Sequence, residues 1–225
     1  MSNRFSVIIR CKNEERWIGH ALQSVIDLVP NNEIIIVDNN SVDKSLEIIR
    51  QFKANPNLEL NNTKYTDIKL INVDDYTPGL ALNEGVKVAS NPVILILSSH
   101  CVLKKFDEER ILKDLESYVA IFGNQDPIYQ GQRITKRYLW SHFGSEKKED
   151  MYSDSEGRYF FHNALSIIRR DVLENHPFDE DLAGKEDRYW ASTIIENNIG
   201  KILYDPTLSC DHHYTDAGNT WKGVG

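Results

Sequence analysis

Apolar and polar positions along the first half of the chain separate strands from helices. Phe5 to Arg10 (FSVIIR) is a β-branched run without helical period and reads as a buried strand. After the polar turn CKNEE, Trp17, Ala21, Val25 and Val29 recur every four residues, with Ile18, Leu22 and Ile26 beside them. That stripe predicts a helix packed on a sheet, closed by Pro30 and the two asparagines that follow. Glu33 to Val37 (EIIIV) predicts a second strand, and DNNSVD opens a second helix with Leu46, Ile49 and Phe52 on one face. Residues 54–66 are polar and rich in asparagine, so a loop is expected there. Ile68 to Val73 predicts a third strand. DDYTPGLALNEGVKVAS then reads as a Pro-Gly turn running into a short helix, and Pro92 introduces VILIL, a fourth strand.

Strands that are apolar throughout, alternating with amphipathic helices, predict an α/β fold with a mostly parallel central sheet flanked by helices. Helical spacing of Ile111, Leu115, Tyr118 and Phe122 predicts a helix from Asp107 to Phe122. After Gly123 the period fades. Residues 124–161 mix aromatic, charged and polar side chains, which suggests a substrate-facing insertion with a mobile loop from Gly144 to Gly157. Regular signals return with the strand ALSII, the short helix RRDVLENH, and the helix KEDRYWASTIIENN, with Tyr189, Thr193 and Ile194 expected inward. KILYDP reads as the last strand, ahead of a histidine-containing tail, CDHHYTDAGNTWKGVG, whose abrupt end reads as a truncation.

Composition narrows this picture modestly. The 225 residues, 40% hydrophobic and 27% charged, suffice for one large α/β domain. A net charge of -8 argues against a general nucleic-acid binder, yet allows a nucleotide held by a metal and local donors. Three cysteines, an odd number without CxxC spacing, argue against a disulfide framework or a zinc site and fit a reducing compartment. MSNRFSVIIR lacks the pattern of a signal peptide, and the run from Val93 to Leu97 is too short to span a bilayer. A cytoplasmic protein is expected, with room for peripheral contact at the inner face of the membrane.

In an open parallel sheet, ligands bind at the carboxyl ends of the strands. The first strand is followed by Arg10, Cys11, Lys12, Asn13 and Glu14, the second by Asp38, Asn39, Asn40, Ser41 and Asp43, the fourth by Ser98, Ser99 and His100. Asp38, at a strand tip, suits acceptance from a base imide or a ribose hydroxyl. Ser41 or Asp43 could simply cap a helix, and Lys12 with Glu14 could be a solvated pair. An unpaired guanidinium at Arg10 would be costly to bury, so a phosphate or carboxylate partner is expected. His100 suits a borderline ion such as Mn²⁺ better than Mg²⁺, and Asp211, His212 and His213 offer a second ligand. Glu186 and Asp187 open a helix, where acidic residues are favoured by the helix dipole. They could equally supply a general base that takes a proton from an acceptor hydroxyl.

Taken in order, these segments resemble the family-2 glycosyltransferases of GT-A fold, in particular bacterial surface-polysaccharide enzymes including rhamnosyltransferase-like members. The likeness runs through SVIIRCKNEERWIGHALQSV, EIIIVDNNSVDKS, PGLALNEGVKVASNPVILIL, FGNQDP, FFHNALSIIRRDVLENHPFDEDLAGKEDRYWA and LYDPTLSCDHHY. It implies a nucleotide-sugar-binding half over residues 1–123 and an acceptor-binding and catalytic half over 124–225 of one GT-A domain. Asp38 would contact the base, with Arg10, Lys12, Asn13, Glu14 and Asn40 lining the same pocket. Asn83, Ser98, Ser99 and Gln125 would lie along the sugar-diphosphate. Asp187 would be the catalytic base, with Glu186 assisting, in an inverting displacement on a UDP-sugar or another nucleoside diphosphate sugar. The acceptor would be a glycan or lipid-linked glycan. A divalent cation, Mn²⁺ or Mg²⁺, would be held by His100 and His212, or by His213 in its place. Ser98-Ser99-His100 stands where the family usually carries Asp-x-Asp, and Leu80-Ala81-Leu82 where many members carry an arginine. Two rival readings are a sugar nucleotidyltransferase, disfavoured by the missing glycine-rich loop after the first strand, and a non-catalytic glycan-binding domain with a decayed metal site.

Overall fold

The computed structural model describes residues 4–30, 32–54, 67–133, 144–154 and 157–214. The elements run β1 (Phe5–Cys11), α1 (Ile18–Leu28), β2 (Asn32–Asp38), α2 (Ser45–Ala54), β3 (Ile68–Asn72), α3 (Pro78–Val88) and β4 (Val93–Ser98). There follow β5 (Cys101–Lys105), α4 (Glu108–Asp114), β6 (Ala120–Tyr129), β7 (Gln132–Arg133), β8 (Lys148–Glu149), β9 (Tyr152–Ser153) and β10 (Arg158–Tyr159). The chain then forms β11 (Leu165–Arg169), α5 (Arg170–Asn175), α6 (Glu186–Glu196) and β12 (Ile202–Tyr214).

Among the described residues one sheet runs in the order β3-β2-β1-β4-β11-β6-β12-β5, with β7 added to β6 and β8 to β12. β3, β2, β1 and β4 are mutually parallel, as the apolar runs predicted. Beyond them the sheet is mixed: β11 is antiparallel to β4 and β6, β12 runs parallel to β6, and β5 is antiparallel to β12. Alternation along each strand fills two cores. Val7, Ile9, Ile34, Ile36, Leu95 and Leu97 pack with α1 on one face, while Ile8, Ile35, Val37, Ile94 and Ile96 pack with α3 and α6 on the other.

Register brings the strand ends together. Arg10 lies opposite Val37 and Ser98, and Cys11 opposite Asp38. On the neighbouring side, α3 starts at Pro78 behind Thr77, whose side chain accepts the Leu80 N–H at 3.1 Å. Gly79 allows a close approach there, because a Cβ would stand 2.2 Å from the Asp179 carbonyl oxygen.

Several expectations fail in the second half. The helix expected from Asp107 to Phe122 stops at Asp114, and Phe122 belongs to β6. The apolar run beginning at Val119 fills the gap between β11 and β12, and sheet pairing outweighs the helical spacing upstream. The 123/124 boundary between the two halves of the one domain falls inside β6. Within the stretch expected to be a mobile loop, β8 pairs with β12, and β9 with β10 forms a small antiparallel pair. Residues 134–143, 155 and 156 of that region lie outside the described residues.

In α6 the buried face is Glu186, Trp190, Ala191 and Ile194, and Tyr189 is 47% exposed. Ile194 faces inward as expected, while Tyr189 and Thr193 face outward. The last strand does not end at Pro206. Asp205 Oδ1 accepts the Thr207 N–H and hydroxyl at 2.9 and 2.6 Å, the ladder shifts register there, and β12 resumes from Ser209 to Tyr214. A proline in a strand is tolerated at such a bulge. The supposed tail up to Tyr214 is therefore strand, and the remainder of it lies outside the described residues.

Candidate functional site

Asp38 ends β2 and is 2% exposed. Its Oδ2 accepts the Ser41 N–H at 2.9 Å, while Oδ1 is buried with no hydrogen-bond partner. A buried, unsatisfied acceptor costs roughly 1–3 kcal/mol, so this oxygen suits an incoming N–H or O–H. The turns after β1 and β2 are stitched to one another around it. Ser41 Oγ accepts the Asn13 N–H at 2.9 Å, and Asn13 Oδ1 accepts the Val42 N–H at 2.8 Å. Asn13 and Asn40 adopt left-handed backbone, with φ of 53° and 51°, where asparagine is favoured over bulkier residues. Asn40 is tied to Asn72 and Asp74 at the tip of β3. Lys12 donates to the carbonyls of Asn39 and Asn40. Asp43 is spent on structure: it accepts the Ser45 N–H at the start of α2 and the Glu15 N–H, each at 2.9 Å.

The histidines come from two ends of the chain. His100 follows β4, and His212 lies in β12 opposite Cys101. Their rings are near-parallel, 17° apart with centroids 4.9 Å apart. His100 Nδ1 is 2.9 Å from Glu14 Oε1, and His212 Nδ1 bonds Gln125 Oε1. Each ring therefore has its Nδ1 committed and its Nε2 left over, and His212 Nε2 is buried with no hydrogen-bond partner. Burial, and then the neighbouring His100, hold the His212 pKa well below the ordinary imidazole value, which keeps the ring neutral and able to donate a lone pair. His213 points the other way, stacked on Trp17 at 3.7 Å and 14°. Glu14 and Gln125, expected along the donor, instead hold the histidines. Among the described residues no cluster of three or more His, Cys, Asp or Glu side chains forms a metal cage.

Glu186 and Asp187 form the first turn of α6 and lie in the same crevice. Arg10 Nη1 reaches Glu186 Oε1 at 3.1 Å and the Pro78 carbonyl at 3.3 Å, so the carboxylate partner expected for this arginine is Glu186. Burial works against the Arg10 charge, but Tyr76, Glu186 and Asp187 together raise its pKa. Asp187 accepts the Arg188 N–H at 2.8 Å and the Asn163 N–H at 3.4 Å. Burial, then the Glu186 charge, push its carboxyl from 3.8 up to about 6. A carboxyl so tuned is ionised at neutral pH yet basic enough to take a proton.

Sequence reasoning missed Asn163. Its Nδ2 donates to Glu186 Oε1 at 3.3 Å, and its carbonyl accepts from Ser98 Oγ at 3.4 Å, linking the acidic pair to the end of β4. The only signal was a buried-type polar residue just ahead of the apolar run ALSII. Ser99 is buried behind this strand end. Asn83 lies elsewhere: it binds the Phe178 carbonyl and N–H and Glu180 Oε1, which fastens α3 to the segment before α6 and leaves its amide fully engaged.

A parallel half-sheet whose strand ends converge here, continued by an antiparallel β11 with Asn163 just ahead of it bonded to the acidic pair of α6, defines the GT-A class of nucleotide-sugar folds. Solved structures share it. S. aureus TarS 1-349 in complex with UDP-GlcNAc superimposes with a TM-score of 0.67 at 18% identity, over 96% of this chain and 60% of that one. The mannosyltransferase PcManGT from Pyrobaculum calidifontis, in complex with GDP-Man and Mn²⁺, gives 0.65 at 15% identity, over 97% and 59%. The chain belongs to glycosyl transferase family 2, whose sequence model (Glycosyl transferase family 2) matches residues 6–176. Among curated relatives, the minor teichoic acid biosynthesis protein GgaA of Bacillus subtilis is 33% identical over 210 residues, 87% of this chain and 43% of that protein. The poly-beta-1,6-N-acetyl-D-glucosamine synthase of Staphylococcus epidermidis is 33% identical over 99 residues, 44% of this chain and 22% of the synthase. The chain thus spans less than half the length of either relative.

Proposed function

We propose that this chain is an inverting glycosyltransferase that moves a sugar from a nucleoside diphosphate sugar to a glycan hydroxyl in surface-polysaccharide synthesis. The observation that carries this reading is Asp187, a half-buried carboxyl raised to about 6 beside Glu186, which Arg10 ties to the strand ends that carry the bare Asp38 oxygen. Asp38 Oδ1 receives a donor from the base or ribose, and Lys12 stands close by on the carbonyls of Asn39 and Asn40. Asp187 removes the acceptor's proton as its oxygen attacks the anomeric carbon opposite the leaving diphosphate, so a single displacement inverts the configuration. Glu186, held by Arg10 and Asn163, keeps the base strength of Asp187 high without itself being free. Residues 1–123 hold the donor and residues 124–225 the acceptor and base.

His100 and His212 fit a divalent cation as a partial ligand set, because both retain Nε2 and His212 Nε2 is an orphaned buried atom. Two neutral imidazoles favour Mn²⁺ over Mg²⁺. When bound, such an ion offsets charge on the leaving diphosphate. The complexes with UDP-GlcNAc and GDP-Man in the same fold support a nucleotide-sugar donor. Relatives named for teichoic acid and poly-N-acetylglucosamine support a glycan acceptor. No described helix is long and apolar enough to cross a membrane.

The test is Asp187→Asn with steady-state transfer and calorimetric nucleotide binding. Turnover should fall by about 10²–10⁴-fold, the usual worth of a general base, with nucleotide affinity nearly intact. Equal loss of both would mean that Asp187 serves structure, and a product of retained configuration would rule out its role as base in a single displacement.

A further inference from the structure

The two imidazoles differ in what stands behind them. His212 Nδ1 meets Gln125, a neutral amide, whereas His100 Nδ1 meets the carboxylate of Glu14 at 2.9 Å. Glu14 is 8% exposed and well anchored. Its N–H donates to Ser45 Oγ at 2.7 Å, and its carbonyl accepts the Trp17 and Ile18 N–H groups at 2.9 Å, which fixes the residue at the entry to α1. Among the described residues no lysine or arginine pairs with its carboxylate, and the ion-pair geometry it makes is with His100. A metal ligand set of two neutral imidazoles carries no negative charge of its own. A carboxylate that accepts the Nδ1 proton fixes the tautomer that frees Nε2, and makes that nitrogen a stronger donor. An amide acceptor gives the orientation without the charge.

We propose that Glu14 is a positioning residue that supplies, through His100, the negative charge this cation site lacks among its direct ligands. The Ser98-Ser99-His100 strand end then does not have a weakened site. The carboxylate has moved one shell outward, from the ion to the ring that binds it. Gln125 does the neutral half of the same work on His212, so charge enters the site from one side only.

This inference rests on the reading of His100 and His212 as cation ligands, and the experiment separates the two. Mn²⁺ is titrated into the full chain with UDP present as the diphosphate probe. Free Mn²⁺ is read by electron paramagnetic resonance, and folding is checked by thermal unfolding. Glu14→Gln keeps the size and an acceptor oxygen but removes the charge, and should weaken Mn²⁺ binding about 10–100-fold. Adding Gln125→Glu to that variant returns the carboxylate to the other imidazole, and should recover most of the loss. His100→Ala should abolish the site. If Glu14→Gln binds Mn²⁺ as the unaltered chain does while His100→Ala does not, the role of Glu14 is overturned and the ligands stand. If Glu14→Gln weakens binding but Gln125→Glu restores nothing, the effect is not charge and the proposal is likewise overturned. If His100→Ala binds normally, the ligand assignment itself falls.

Discussion

Asp187 carries its negative charge in a half-buried place beside a second carboxylate, and both facts have measurable signs. Its pKa stands at about 6 against 3.8 in an unfolded chain, so the folded protein holds that proton more tightly. The stabilisation this gives is complete below pH 3.8 and is lost as pH rises through about 6. At neutral pH the ionised side chain is therefore a burden on the fold. Asp187→Asn, which removes the charge, should raise Tm at neutral pH while turnover collapses; a lowered Tm would contradict the burial argument. The base must be ionised to work, so kcat/KM should fall tenfold per pH unit below about 6. The Glu186 charge is the largest cause of the shift after burial. Glu186→Gln should thus move the acid limb of the profile to lower pH, and a limb that stays or moves up would show that Glu186 does not tune the base.

At the scale of elements, β12 decides which histidine can serve. Strand alternation turns His212 toward His100 and His213 onto Trp17. His212→Ala should lose Mn²⁺-dependent nucleotide binding. His213→Ala should keep it and lose about 0.5–1.5 kcal/mol, the worth of an aromatic pair, by chemical unfolding. The reverse pattern would mean the strand runs one residue out of register. At α3, Gly79→Ala would drive a Cβ into the Asp179 carbonyl, and backbone there has little room to give. A loss of roughly 1–3 kcal/mol is expected, the usual price of overpacking; an unchanged denaturation midpoint would contradict the close approach. These elements also show why legibility was uneven. β1, β2 and β4 are buried on both faces, so they read as unbroken apolar runs. β6 and β12 emerge from the core to line the crevice, and Asn124, Gln125 and Pro127 in one, Pro206, Ser209 and Asp211 in the other, disguise them as loop and tail. Asn163 left almost no trace, because a single polar residue has no period, and Asp187 and Glu186, the acidic pair it meets, lie more than twenty residues away along the chain.

Across the whole molecule, one twisted sheet carries both halves of the proposed reaction. Its parallel part brings Arg10, Asp38 and Ser98 to one end of the sheet by register alone, and that convergence of strand ends was legible from sequence. The mixed part carries the chain back beside β4, so that Glu186 meets Arg10 across a gap of 176 residues. The most direct test of sugar transfer is the release of nucleoside diphosphate from a panel of UDP-, GDP- and dTDP-sugars, with Mn²⁺ and a glycan acceptor, compared between the unaltered chain and Asp187→Asn. The account predicts release coupled to an inverted glycosidic product, lost in Asp187→Asn while donor binding persists. A chain that binds glycan but releases no nucleoside diphosphate from any donor would contradict it.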